Sequence, residues 1–410
     1  MTELRQHPLA FLLSALALIG SALETNAQSL STGGFVSVGY LESSHYNYLA
    51  DSEKGTLDFV EIGLNASWTP ANRTTINGQA FLFELGPYGN YTPLVDYLFV
   101  DYAKSKELGF RAGRIKRELG LYTHIQDIDI ARTSILLPHG MYDPRYRDFS
   151  ASVDGASMYG SFNLPGDQRI TYNLYGGFAQ ADPEGGLAGF SLTAISRTTI
   201  DNRIKTLEAD GTYGAQFWYN PNIEGLRVGY GLSRYFGIDI STQGKFPDAL
   251  PDPLLAGKEL INLGQDLTYE IDQLSIEYFL GNWNFTAEYQ WSHVGPTIDR
   301  IIGGVFFPDT TPPTEFEVWY ANASRRFGKL EFGLTYTSSP FSKNDTNVGN
   351  ATYQKDTQLS VRYDVNDHWT LKAEVHSIEG TKRLFNQHGQ NPVLDQDDWT
   401  LWAAKSTFTF

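Results

Sequence analysis

Residues 109–141 gather ionic chemistry into a single run that is otherwise apolar. Arg111, Arg114, Lys116, Arg117 and Glu118 leave a short strand pattern together, and Asp127, Asp129 and Arg132 follow before Leu137 and Pro138. Asp143, Arg145, Arg147 and Asp148 come next. Bases held in a low-dielectric wall favour anions, and acids facing them set up a transverse field. Arg111, Arg114, Lys116, Arg117 and Arg132 are therefore candidates for the basic side of a constriction. Glu118, Asp127, Asp129, Asp143 and Asp148 are candidates for its acidic side. The plainer alternative is that the same groups pair with one another and pin the segment in place. Asp127 and Asp129 have the spacing of the start of a calcium loop, but the remaining ligand positions are missing.

Other chemistries find less support. No Gly-x-Ser-x-Gly elbow occurs, and the eight His show no metal-ligand spacing. No catalytic residue, metal or cofactor is expected, and the chain is not read as an enzyme. A segment as apolar as 117–152 should not lie in water, so the surrounding elements must house it.

Those elements read as strands. Leu359, Val361, Tyr363 and Val365 alternate with Gln358, Ser360, Arg362 and Asp364; after a turn, Trp369, Leu371, Ala373 and Val375 alternate with Thr370, Lys372, Glu374 and His376. The same hairpin unit recurs from residue 33 onward. About sixteen strands are predicted, near 33–43, 57–68, 73–83, 94–102, 108–116, 153–164, 168–178, 213–220, 226–235, 267–280, 283–292, 315–326, 330–338, 357–365, 369–377 and 399–410. For 94–102 and 315–326 the outward face cannot be read. The Gly-Pro-rich stretches 181–189, 244–257 and 308–313 fall in the longer loops. Short turns alternate with long loops, as in an all-β transmembrane antiparallel barrel whose third long loop folds inward.

Composition agrees with a barrel. Hydrophobic residues make up only 41% of the chain, as expected where lipid-facing and interior positions alternate, and aromatics reach 14%, enough for girdles at two interfaces. With no Cys, no disulfide framework is available. A net charge of −16 argues against a nucleic-acid partner. Residues 8–23 form an uncharged apolar run, short for a membrane helix, followed by Thr25-Asn26-Ala27. This reads as a secretory signal over 1–27, cleaved near Ala27, leaving 28–410 as the barrel domain. Trp402, Ala404, Phe408 and Phe410 alternate to the end of the chain.

The leader, about sixteen strands, the long third loop and the terminal Phe together resemble the sixteen-stranded porins of Gram-negative outer membranes. Residues 113–122 are similar to the point where strand passes into loop in substrate-selective branches of that superfamily. The resemblance implies an outer-membrane channel for passive diffusion of small hydrophilic or charged solutes, constricted by 117–152 and assembled as a homotrimer among lipid and lipopolysaccharide. It also implies that Phe408 and Phe410 belong to the assembly signal, from which Ser406 departs. The rival readings are a plugged structural or adhesive barrel and an outer-membrane hydrolase. Deleting Phe410 should lower the yield of heat-modifiable, membrane-inserted protein at least several-fold; unchanged yield on a gel-mobility assay would remove the terminal aromatic from assembly.

Overall fold

The computed structural model describes residues 29–309, 313–340, 349–387 and 389–410. The leader read over 1–27 lies outside them, as do residues 310–312 of one long loop. The strands are β1 (Leu30–Ser43), β2 (Phe59–Ala71), β3 (Thr74–Leu85), β4 (Leu94–Ala103), β5 (Gly109–Lys116), β6 (Ser152–Leu164), β7 (Gln168–Phe178), β8 (Ile200–Asn220) and β9 (Leu226–Lys245). They continue as β10 (Glu259–Leu280), β11 (Trp283–Gly295), β12 (Asp299–Ile302), β13 (Val305–Phe307), β14 (Thr314–Phe327), β15 (Leu330–Ser339), β16 (Gln354–Asp364), β17 (Trp369–Gly380) and β18 (Asp398–Thr409). Short β12 and β13 form a side hairpin on the far end of β10, and β11 pairs directly with β14. The other strands form a closed sixteen-stranded antiparallel barrel.

Closure is made by the first and last strands. β1 runs antiparallel to β18 from Phe35 opposite Thr409 to Ser43 opposite Leu401. Gly34 and Phe410 exchange two backbone hydrogen bonds, of 2.9 and 3.0 Å. With no free edge, every wall strand has a partner on both sides, which is what lipid requires of a backbone. Phe408 and Phe410 both point outward, their rings stacked 6.4 Å apart. The polar interruption at Ser406 is used, because its Oγ accepts from the indole of Trp369 at 2.9 Å.

Alternation sorts the side chains as hairpin phase predicts. Leu359, Tyr363, Leu371 and Trp402 are exposed on the outer face, while Gln358, Ser360, Arg362, Lys372 and Glu374 are buried inside. Glu277 and Glu288 are also buried inside, and Arg227 and Glu331 share the inward phase of their strands. Trp68, Phe162, Trp283, Phe327 and Trp369 stand outward beside the short turns; Tyr40, Trp291 and Trp402 stand nearer the long loops. This is the arrangement of aromatics at two interfaces.

Two departures from the expected strands matter. β8, β9 and β10 reach 21, 20 and 22 residues against the predicted 213–220, 226–235 and 267–280, so 200–212, 236–245 and 259–266 join the sheet while 246–258 stays between strands. Helix α2 (Gly186–Ser196) lies in the connection before β8, following the four-residue α1 (Arg147–Ser150). By contrast, β4 and β5 span only 10 and 8 residues, so the wall is low there and tall on the other side.

The two strands of unreadable phase have physical explanations. In β4 the register against β3 shifts between Gln79 and Ala80, so Asp96 faces inward although Leu98, Val100 and Tyr102 continue the outward row. In β14 both faces are apolar in places: inward Val318 and Tyr320 are buried, and outward Arg325 stacks on Trp283 and Phe327.

Leu359 sits at mid-strand on the lipid-facing side, so Leu359→Arg should destabilise the folded chain by roughly 2–4 kcal/mol. Denaturant unfolding in lipid vesicles, with Leu359→Ala as the comparison, measures this. A cost no larger than that of the Ala variant would mean the face is assigned wrongly.

Candidate functional site

Residues 117–151 connect β5 to β6, and the two ends of the segment are tied together where Arg117 N–H donates to the Ala151 carbonyl at 3.0 Å. Between them lie short 3₁₀ turns at Thr123–Ile125, Asp129–Ala131 and Pro144–Tyr146, then α1. Gly120 turns at φ +65, where a Cβ would lie within 2.6 Å of side-chain atoms of Gln273, Tyr142 and Glu288. Only glycine permits both that conformation and that approach.

Ile128 and Ile130 stay exposed, but six other apolar residues of the segment are buried in three separate clusters. Leu119 and Phe149 pack with Tyr235, Ile238, Leu267 and the α2 residue Ala188. Ile135 and Leu136 pack with Leu41, Tyr48, Phe385 and Trp399. Leu137 and Tyr142 pack with Tyr320. Fully burying side chains of this size is worth about 1.5–3 kcal/mol each, which accounts for why so apolar a connection is not in water.

Its polar groups meet the inward row of the wall strand by strand. Gly120 N–H donates to Gln216 of β8 at 2.7 Å, and Leu121 N–H donates to Glu288 of β11 at 2.9 Å. Glu288 also accepts from Ser275, Gln273, Tyr320 and the segment's own Tyr142. Thr133 donates to Glu331 of β15 at 2.5 Å. The Ile135 and Leu136 N–H groups donate to Glu374 of β17, at 2.6 and 2.9 Å. Arg362 of β16 donates to the Ile130 carbonyl at 2.6 Å.

Asp129 is the most heavily contacted acid of the segment. Its carboxylate lies 3.1 Å from Lys372, 3.5 Å from Lys405 and 3.7 Å from Arg132, and it accepts from Thr407 at 2.9 Å. Burial pushes the Asp129 carboxyl up, but these cations outweigh burial and hold it well below the usual carboxylate range. Lys372 in turn donates to the carbonyls of Asp129 and Ser134, and Lys405 pairs with Glu61 at 2.5 Å. A second knot joins Asp127 to Lys116 at 2.6 Å and to Arg147, which also binds Asp96 and lies over the Phe81 ring. Asp143 caps Arg145 N–H and pairs with its guanidinium, which stacks 3.7 Å from the Phe385 ring. Burial raises the Asp143 carboxyl and Arg145 lowers it further, leaving it below its ordinary value.

The candidate residues are thus only partly assembled. Arg111 binds Asp101 at 2.9 Å and Glu118 at 3.0 Å and keeps some exposure, its guanidinium 4.3 Å from the Tyr159 ring. Arg117 is buried, donating to the Ser150 carbonyl and to Ser233. Arg132 donates to the carbonyls of Gln126 and Ile135. Arg114 is separated from the rest. Three positions from Arg111, it has the opposite phase, pairs across the sheet with exposed Leu98, and binds Asp154 of β6 at 2.8 Å. Arg114 therefore does not join the inward bases, whereas Lys116, of the same phase but at the end of the strand, turns in to Asp127.

Asp148 stands apart too, tucked against Gly185 and accepting from Asp182 N–H at 3.2 Å, with its other oxygen unpartnered. Among the groups not singled out as site residues, Lys372, Glu374 and Glu288 were readable as inward by phase. Lys405 and Glu61 share that inward phase, whereas Asp96 falls in a strand whose outward face cannot be read, and for none of the three does phase name the partner.

No protein-family model matches the chain, and no curated protein matches it in sequence. Solved structures do match in fold. The outer-membrane protein OmpT of Vibrio cholerae is 11% identical, with 95% of this chain and 99% of that chain covered at a TM-score of 0.57. The outer membrane channel DcaP of Acinetobacter baumannii is 11% identical, with 93% and 97% covered at 0.52. Salmonella typhi OmpF, solved with daunomycin, is 14% identical with the same coverages and a TM-score of 0.52. The shared property is the architecture of outer-membrane barrels.

The environment of Asp148 makes a pH-dependent prediction. Burial pushes its carboxyl up from 3.8 to about 6. Between the unfolded and folded values the native chain holds a proton that the unfolded chain releases. This contribution therefore favours folding in acid and is lost as pH rises through about 6. Asp148→Asn should stabilise the protein at pH 7.5 by roughly 2–3 kcal/mol, with the gain vanishing near pH 4. Urea midpoints in detergent at the two pH values check it; an equal effect at both would assign the change to something other than ionisation.

Proposed function

We propose that this protein is an outer-membrane channel of a Gram-negative bacterium. Small hydrophilic solutes, charged ones included, would diffuse through it passively, with 117–152 folded into the lumen as its constriction. The observation that carries this reading is the set of bonds from one connection to inward side chains of β8, β11, β15, β16, β17 and β18. A segment lying outside the barrel could not reach all of those strands. The solute path in this reading runs past the partly exposed pair Arg111 with Glu118 and past Arg227, which is partly exposed above the buried Glu277. The protein acts without catalysis, touches lipid and lipopolysaccharide, and assembles as a homotrimer as the porin resemblance implies. Membrane insertion follows removal of the 1–27 leader.

A plugged barrel is the second reading, favoured by a different observation. Two cavities beside the segment have volumes of ≈ 30 and ≈ 40 Å³, room for no more than a few waters each. Planar-bilayer recording separates the two. Stepwise conductance from the wild type supports the channel, and Arg111→Glu should then move the reversal potential toward cation selectivity. Silence from the wild type, with conductance after Asp129→Ala loosens the segment, supports the plug. Silence from both, in chains shown to be inserted, overturns the channel.

A further inference from the structure

His139 is buried within segment 117–151, and neither of its ring nitrogens has a hydrogen-bond partner. An imidazole with both nitrogens orphaned forfeits about 1–3 kcal/mol for each desolvated group, so it calls for an explanation. Its ring is fixed between two others, stacked 4.8 Å from Tyr48 and 5.4 Å from His376. Beside it lies the Asp356 carboxylate, also buried, with one oxygen unpartnered. The other oxygen is 2.8 Å from Nδ1 of His376 and 3.7 Å from Nδ1 of His139.

Asp356 is on β16 and His376 on β17. Cross-strand pairing sets Gln358 opposite His376 and Asp356 opposite Ile378, so the two are diagonal neighbours on the inward face. On its far side, Nε2 of His376 lies 3.0 Å from Glu374, which is itself fixed by the N–H groups of Ile135 and Leu136. A carboxylate behind a histidine in this way fixes the tautomer and leaves the opposite nitrogen as a lone pair. With a proton on Nδ1, His376 donates to the Asp356 oxygen; with that proton lost, a lone pair faces the same oxygen, toward which His139 is also aimed. At 3.7 Å from that oxygen His139 gains no hydrogen bond in either arrangement.

We propose that His139, Asp356 and His376 form a binding site for one divalent transition-metal ion of the Zn²⁺ type. The ion fastens the connecting segment to the β16–β17 wall. One ligand atom from each residue lies within 4.8 Å of the others. Zinc bonds of about 2.0–2.1 Å at tetrahedral angles separate donors by roughly 3.3 Å, and the observed 2.8 and 3.7 Å straddle that value. Two imidazoles and a carboxylate are the donor set of such ions, with water completing the shell, and an all-oxygen calcium site is ruled out by the nitrogens. The sequence hides the site because its ligands stand at positions 139, 356 and 376, from a connection and two different strands. The inference does not depend on whether the lumen conducts.

The test uses the full chain folded in detergent, stripped with a chelator, dialysed and equilibrated with Zn²⁺, with bound metal counted by mass spectrometry. One zinc per chain is expected, with affinity falling at least tenfold in His139→Ala and in Asp356→Asn. His139 makes no hydrogen bond, so its removal should leave heat-modifiable mobility intact, and that mobility is the folding control. His45→Ala, which removes the exposed pair with Asp395, should bind zinc as the wild type does. Folded wild type that binds no zinc, or folded His139→Ala that binds it equally well, overturns the site. Should neither variant fold, the wild-type stoichiometry and a zinc-dependent rise in unfolding temperature decide the matter alone.

Discussion

Closure of the backbone hydrogen-bond ladder is the constraint on which the rest depends. In hydrocarbon an unpaired peptide group costs several kcal/mol, so a sheet can span only by returning to its own first strand. Here the last residue of the chain completes that return through Gly34 and Phe410. Once the sheet is closed, alternation sends every second side chain inward. The interior inherits Glu288, Glu374, Lys372, Lys405 and Arg362, all of them buried. Such charges are tolerable only if each finds an opposite charge or a set of hydrogen bonds. The 117–151 connection supplies them, with Asp129 for the lysines and backbone N–H groups for the glutamates.

The connection and the wall are therefore mutually required. Removing Asp129 would leave Lys372 and Lys405 beside Arg132 with one fewer anion, and breaking buried pairs in this way typically costs about 3–5 kcal/mol. The same logic explains why the segment carries both apolar and ionic residues. Its apolar side chains fill the clusters around Tyr235, Trp399 and Tyr320, and its polar ones answer the inward row.

Much of this architecture was legible in the sequence where one face meets lipid and the other does not. The β16–β17 hairpin is the clear case, its phase readable from Leu359 through Val375. Legibility failed where that contrast disappears or reverses. The upper halves of β8 to β10 reverse the usual contrast, with Glu208, Asp210, Asp239 and Glu270 on the outer face and apolar Leu207, Ile238 and Ile240 on the inner one, so they read as loop although they pair as sheet. β14 failed for a related reason, because Val318 and Tyr320 face an interior that is locally apolar. Within the candidate site, charge types and the inward phase of Arg111 were readable; pairings such as Asp129 with Lys405 were not, because they join residues far apart in the chain.

The uneven height of the wall has a consequence for the surrounding bilayer. An 8-residue β5, at 3.3 Å per residue and a tilt near 45°, rises only about 19 Å, whereas the 22 residues of β10 rise about 50 Å. The apolar band of such a membrane is about 25 Å tall. Along the β4–β6 arc the hydrocarbon thus meets the ionic rim of Arg114 and Asp154 before it ends, and hydrophobic mismatch concentrates there. That arc is where the membrane must thin to match the barrel, and where excluding lipid altogether would relieve the most strain.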